Sequence, residues 1–436
     1  MNTEMYIAHL KALVDRYEQA LNTHGYDCVV ISSGSLAMVA EDDRAYPYNP
    51  RPFAQQWVPY DIDPDTFIVF TPGDKPRLLW PARADFWHLT PQAPGGEWAG
   101  YWSVEAATGL DDWLPKLTGR IAWIGPRHPA LAEQGVQVDI DPAGLKAELS
   151  YYRAYKTDFE IECMAQANRK AVAGHQAARD AFLRGASEAE IYRDYLAASE
   201  QLESQEPYSG IIALNEAAAT LHYERRRFTP PAEHRTLLID AGARVNGYAS
   251  DITRTHTTDG GLFADLRLGL DALQQTLNAS VKPGVTMTEL QNQALAGVAG
   301  LLRDHGLCRL PVEEQLAKRV PHAFFPHGLG HLLGLQVHDV GGHQQTPEGE
   351  TRADDDNPFL RLTRTLESSM VITMEPGLYF IPMLLDRLMQ REPDHGLDLA
   401  LIERLKPYGG IRIEDNLVVS ADGARNLTRE AFKAQH

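Results

Sequence analysis

"TLLIDAGARVNGYASDITRTH", Thr236 to His256, reads as strand, turn, strand. Leu237-Leu238-Ile239 is an apolar strand run, and Asn246-Gly247 is a strong hairpin signal because both turn positions need a left-handed backbone. With those two residues as the loop, Val245 pairs with Tyr248 and Asp240 with Thr253. Asp251 then lies two residues along on the same face, diagonal to Asp240 and roughly 7–8 Å from it at the backbone. Two aspartates leaning together from there could share a pair of metal ions roughly 3.5–4 Å apart. Asp240 follows the apolar run, so it should be nearly buried, and an unpaired buried carboxylate is costly. The alternative reading is a salt bridge to Arg244 or Arg254, or a turn-capping aspartate.

Further acids stand in similar settings. "VITMEPGLYF" puts Glu375 at the end of an apolar strand, directly before Pro376-Gly377, where the sheet opens. "GGIRIEDNLVV" puts Arg412 and Glu414 on one strand face, opposite Ile411 and Ile413. Taken singly these are a solvent-edge glutamate and a surface ion pair. Taken together, four acids embedded in apolar strands need a shared counter-charge. "PHGLGHLLGLQVHDVGG", Pro326 to Gly342, carries His327, His331 and His338, with His322 and His343 flanking it. Two Asp, two Glu and one His form a hard, oxygen-rich ligand set that suits Mn²⁺, Fe²⁺ or Co²⁺ better than a structural zinc site. His327 and His331 are four apart, but Gly-Leu-Gly between them supplies no glutamate and weakens a helix, so a helical HExxH zinc site fails.

The chain has 436 residues and a formal net charge of -18. Its length suggests two domains. So acidic a chain is a poor nucleic-acid binder by its overall field, and no nucleic-acid partner is expected. Its three cysteines, Cys28, Cys163 and Cys308, are far apart and form no CxxC motif, which fits a reducing compartment. The amphipathic N-terminus lacks the apolar core of a signal peptide, and no apolar run reaches ~18 residues. A cytoplasmic protein without membrane contact is expected.

Short apolar runs, "CVVISSG", "TFIVFTPG", "PRLLWPA" and "RIAWIG", follow an amphipathic helix from about Met5 to Leu21, an α/β pattern. No GxGxxG follows the first run, so a dinucleotide site has no support. The aromatic loop "EDDRAYPYNPRPFAQQWVPY" reads as a lid or a packing segment. A long helix is expected from Lys156, which puts the domain boundary between residues 153 and 154. Beyond it, "LRGASEAEIYRDYL" and "VKPGVTMTELQNQAL" each follow a glycine with a capping box, Ser187–Glu190 and Thr286–Glu289. Strand-like runs follow each unit, which hints at a duplicated half-domain with a site at the junction.

At this point "IDAGARVNGYASDITRT", "HGLGHLLGLQVHD", "MEPGLY" and "IRIEDN" resemble, in order and spacing, the motifs of the pita-bread metallopeptidases. That family includes methionine aminopeptidase, aminopeptidase P and prolidase. The match runs from about Lys156 to Val418. The loop "DDRAYPYNPRPFAQQW" and the insertion between His343 and Arg364 look closest to the bacterial prolidases, a branch that includes organophosphorus acid anhydrolases. The resemblance implies an α/β (α+β) fold. A pita-bread domain of two pseudo-symmetric halves, residues 154–436, would follow a smaller α/β domain, residues 1–153, that serves dimerisation and covers the active site.

It also implies two divalent ions per subunit, Mn²⁺ first, with Co²⁺, Fe²⁺ or Zn²⁺ as alternatives. Asp240 would bind one ion, His331 and Glu375 the other, and Asp251 and Glu414 both, around a nucleophilic water or hydroxide. Glu375 would also shuttle protons. His222 and His338 would hold the scissile carbonyl, and His327 would lie near the substrate. Arg364, Arg412 and Tyr208 would stand on the substrate side. The implied activity is hydrolysis of Xaa-Pro dipeptides by a homodimer, with a side activity on organophosphate triesters and fluorides; aminopeptidase P action on longer peptides is the alternative.

Overall fold

The computed structural model describes residues 2–434. They fall into two compact units: residues 2–163 with Asn246–Tyr248 and Gln344–Thr351, and the remainder, Met164–Val245, Ala249–His343 and residues 352–434. The division falls inside the helix Asp158–Leu183, which starts two residues after Lys156.

The first unit opens on helix α1, Thr3–His24, whose Asn2 side chain accepts from the amides of Glu4 and Met5 and whose end is closed by left-handed Gly25. Six strands follow: β1 Cys28–Ser32, β2 Phe67–Phe70, β3 Arg77–Pro81, β4 Ser103–Ala107, β5 Ile121–Ile124 and β6 Val138–Ile140. They form one mixed sheet in the order β4-β3-β2-β1-β5-β6. The apolar runs noted above supply β1, β2, β3 and β5, and every residue of β1, β2 and β5 is buried. The second half of the aromatic loop packs inward: Phe53, Ala54, Trp57 and Val58 are buried, and Trp57 stacks edge-on to Tyr17 at 4.8 Å.

In the second unit both capping boxes are present, Ser187–Glu190 on helix Glu188–Ala198 and Thr286–Glu289 on helix Met287–Asp304. Two small antiparallel sheets carry the acids. β7 (Ile211–Leu214) and β8 (Thr236–Asp240) are joined, after the short β9 (Arg244–Val245) and β10 (Tyr248–Ala249), by β11 (Thr253–Thr257), in the order β11-β8-β7. β12 (Val371–Met374) precedes β13 (Gly377–Tyr379) and β14 (Gly410–Arg412), which pair with each other. β15 (Asp415–Ser420) runs between β12 and β16 (Gly423–Asn426). The expected turn forms, with Asn246 at φ 50° and Gly247 at φ 82°, and Asp240 pairs with Thr253 in the expected register. A bridge between Thr253 and Glu414 ties the two sheets together. Among the described residues no helix is long and apolar enough to cross a membrane.

Candidate active site

Each acid is delivered by a strand end. Asp240 closes β8, and Asp251 stands two residues before β11. Glu375 follows β12, and Glu414 sits between β14 and β15. The histidine run reaches the same place by pairing irregularly with β12. The His331 amide donates to Thr373 Oγ1, the Thr373 amide to the His331 carbonyl (3.0 Å), and the Glu375 amide to the Leu329 carbonyl (2.8 Å). Gly330 makes this approach possible, since a Cβ there would lie 2.2 Å from the Thr373 carbonyl oxygen.

Ligand atoms of Asp251, His331 and Glu414 all lie within 4.8 Å of one another, and all three residues are buried. His331 Nε2 is 3.4 Å from Asp251 Oδ2 and 3.6 Å from Glu375 Oε1. Its other nitrogen, Nδ1, is 2.9 Å from the Leu332 carbonyl, a hydrogen bond that leaves Nε2 as the lone-pair atom facing the carboxylates. Asp240 turns Oδ2 to Arg412 (2.6 Å), while its buried Oδ1 has no hydrogen-bond partner. Asp251 accepts from the Tyr208 hydroxyl at 2.6 Å, and Glu414 from the Thr253 hydroxyl at 2.7 Å.

The electrostatics follow from crowding. Burial pushes Glu375 up to about 7. Burial, and then the charges of Asp251, Glu375 and Asp240, raise Glu414 well above the carboxylate range. Burial also raises Asp240, although Arg412 opposes it. Four carboxylates and one imidazole gathered in this way, with an orphaned oxygen on Asp240, fit divalent cations: they supply hard donors, and Arg412 alone does not balance their negative charge.

Around the acids runs a second chain of contacts. Arg412 donates to Asp240, to Thr253 Oγ1 (3.2 Å) and to the Tyr379 hydroxyl (2.7 Å). Tyr379 in turn meets His327 Nε2 at 2.8 Å. His327 Nδ1 lies 3.6 Å from Glu375, and burial followed by Arg412 lowers His327 to about 3. The His338 ring sits 4.5 Å from that of His331, edge to face, and burial with the His331 charge lowers it to about 4. His222 is exposed, and its charge bears on both His327 and His338. Arg364 is buried and pairs with Glu367 at 3.8 Å.

Three residues that the sequence reading passed over belong here. Tyr379 links Arg412 to His327; its signal was Gly410 opposite it on β14, where a Cβ would press on its ring at 2.4 Å. Thr253 bonds Glu414 from the position paired with Asp240. Arg361 is exposed, and its charge helps to lower His338.

Strand-borne acids around one imidazole form a candidate metal site, and residues 162–421 match metallopeptidase family M24. The chain belongs to that family and is a metal-dependent peptidase. Residues 4–151 match the N-terminal domain of Xaa-Pro dipeptidases. The chain is 45% identical to the Xaa-Pro dipeptidase of Marinobacter nauticus, over 97% of each chain. It is 42% identical to that of Stenotrophomonas maltophilia, over 99% of this chain and 98% of the relative. Among solved structures it resembles Pseudomonas aeruginosa aminopeptidase PepP, with a TM-score of 0.72 and 22% identity over 97% of this chain and 95% of that one. Escherichia coli aminopeptidase P with the inhibitor Pro-Leu matches with a TM-score of 0.72 and 22% identity, over 99% and 96%. The fold is the pita-bread fold of those enzymes, preceded by an N-terminal domain.

Proposed function

We propose that the protein is a dinuclear-metal dipeptidase that hydrolyses Xaa-Pro dipeptides. The observation that carries this reading is the convergence of Asp251, His331 and Glu414 ligand atoms within 4.8 Å, beside an orphaned oxygen of Asp240. Asp240, Asp251, Glu414, His331 and Glu375 would hold two divalent ions, Mn²⁺ first. Such ions lower the pKa of water toward neutrality and polarise a carbonyl.

The protein's own groups supply the remainder. Glu375, beside His331 at 3.6 Å, is placed to take a proton and pass it to the leaving amine. His222 and His338 would donate toward the carbonyl oxygen as charge develops there, each worth on the order of a few kcal/mol. Tyr208 orients Asp251. A dipeptidase must also sense the end of its substrate, and a guanidinium left unpaired by a longer chain would do so. Arg364 is one carrier of that role. Arg361 is the second, favoured by its exposure and by its charge reaching His338. Arg412, turned to Asp240 and Tyr379, would act on the substrate side through them. Proline in the second position has no amide N–H, so the pocket need not satisfy that donor.

The relatives named Xaa-Pro dipeptidase support dipeptides as substrates, and the aminopeptidase P fold keeps the longer-peptide alternative in play. Metal analysis combined with kinetics on Ala-Pro and Ala-Pro-Ala tests the reading. Hydrolysis of Ala-Pro alone by the Mn²⁺-loaded protein is expected; preferential release of alanine from Ala-Pro-Ala would move it to aminopeptidase P. A homodimer in the cytoplasm and a side activity on phosphotriesters and fluorides belong to the same proposal, checked by sedimentation, fractionation and fluoride release.

A further inference from the structure

His222 stands on a segment with no regular secondary structure, between the 3₁₀ turn Asn215–Ala219 and β8. Something must hold so exposed a ring in one place if it is to act on substrate. The first residue of helix Glu188–Ala198 does this from more than thirty residues away in sequence. The Glu188 carboxylate is buried, with 1% exposure. One oxygen accepts the amide of Leu214 at the end of β7 (3.2 Å). The other accepts the Tyr223 hydroxyl and the Arg227 amide, both at 2.8 Å. The Ala189 amide returns a bond to the Arg227 carbonyl at 3.1 Å.

The helix does not need Glu188 as its cap, because Ser187 and Glu190 already close the capping box. The carboxylate therefore serves the loop and the end of β7. Tyr223, directly after His222, is buried with Ile211, Ala213, Leu238 and Tyr379, and Leu221, directly before it, packs against the same cluster. Both neighbours are drawn inward while His222 stays out. A buried carboxylate held by three donors is a strong anchor, and each donor would be left unpaired without it.

We propose that Glu188 is a positioning residue for the peptidase reaction, pinning the 221–227 segment so that the His222 ring is presented to the substrate. This rests on the reading of His222 given under Proposed function.

The test is a double-mutant cycle on the full chain, with the Mn²⁺-induced thermal shift followed in parallel. Glu188→Gln keeps the size but turns amide hydrogens toward donors. It is expected to lower kcat on Ala-Pro about tenfold with KM changed less than twofold, and to leave the Mn²⁺ shift as in the parent. In a His222→Ala background the same change should add less than a twofold loss. Tyr223→Phe, which removes one donor, should give a smaller loss of the same kind, and it carries the cycle if Glu188→Gln fails to fold. Equal losses in both backgrounds, or a fall in the Mn²⁺ shift, would overturn the proposal while leaving the role of His222 standing. Parent-like kcat in His222→Ala would remove both.

Discussion

Glu414 and Asp415 are neighbours in sequence, both buried, and opposite in electrostatic state. Glu414 faces Asp251, Glu375 and Asp240, and it is raised well above the carboxylate range, first by burial and then by those charges. Burial would raise Asp415 as well, but Arg254 and Arg429 hold it far below that range. Arg254 bonds one oxygen at 2.6 Å and Arg429 the other at 2.7 Å, where Asn426 also donates at 2.8 Å. Arg429 is tied in turn to Asp271 at 2.7 Å. One strand junction thus separates a saturated ionic network from an undercompensated one. Native structures satisfy buried charge unless something else is meant to arrive. The missing compensation around Glu414 singles out the candidate metal site more sharply than the acids themselves do.

If that contrast is right, substitutions on its two sides should fail in different ways. Asp251→Asn should weaken the proposed cation site, and kcat/KM on Ala-Pro should fall about 10⁴-fold, ~5.5 kcal/mol at the transition state. Because it relieves repulsion among the acids, the metal-free protein should melt no lower than the parent, while the Mn²⁺-induced thermal shift should largely vanish. A large drop in melting temperature without metal would mean that Asp251 is a structural acid. Asp415→Asn should do the reverse. Breaking a buried pair leaves Arg254 without its carboxylate and Arg429 with Asp271 alone, and should destabilise by about 3–5 kcal/mol in denaturant titration. A parent-like unfolding midpoint for Asp415→Asn would erase the distinction.

A gentler probe lies beside the crowded acids. Tyr379→Phe keeps the ring against Gly410 and removes the hydroxyl that joins Arg412 to His327. A hydrogen bond to a charged group is worth about 1.5–3 kcal/mol, so kcat should fall roughly tenfold while the Mn²⁺ shift stays. Loss of the shift would place Tyr379 with the acids proposed to hold metal instead.

The contrast was only half legible in the sequence. Local signals worked where the physics is local. Asn246-Gly247 set the turn, and the register that opposed Asp240 to Thr253 followed from it. Ser187–Glu190 and Thr286–Glu289 formed as capping boxes because their donors and acceptors are three residues apart. Partners distant along the chain could not be read in this way. Asp240 was weighed against Arg244 and Arg254, yet its cation is Arg412, 172 residues on, while Arg254 belongs to Asp415. Alternation put Arg412 and Glu414 on one strand face, but β14 ends at Arg412, and Glu414 bonds Thr253 instead. Arg361 and Arg364 stand three apart in a segment with no helix or strand, where no period says which side chain turns outward; the structure exposes the first and buries the second. In the sequence Glu188 stands only as part of a helix start. Its role depends on Leu214, Tyr223 and Arg227, which no spacing rule connects to it.

The last expected effect concerns acid stability and leaves activity at neutral pH untouched. His175 is fully buried, its Nε2 donates to the Ala241 carbonyl at 2.9 Å, and burial lowers it from 6.5 to about 3. A histidine held neutral in the folded chain binds a proton in the unfolded chain first. Below the unfolded pKa of about 6.5 the unfolded state therefore gains protons that the folded state refuses, and stability falls by about 1.4 kcal/mol per pH unit for this group until pH nears its folded value. Above pH 6.5 neither state is protonated, and the residue has no effect on the pH dependence. His175→Gln can keep a donor to Ala241 without the titration. Relative to the parent, its unfolding free energy should decline less steeply between pH 6.5 and 5 by about that slope, with parallel curves above pH 7. Should the two curves run parallel at acid pH as well, the acid lability would lie with carboxylates held below their ordinary range, Asp415 first, because the raised Glu375 and Glu414 take up protons in the folded chain first and gain stability as pH falls.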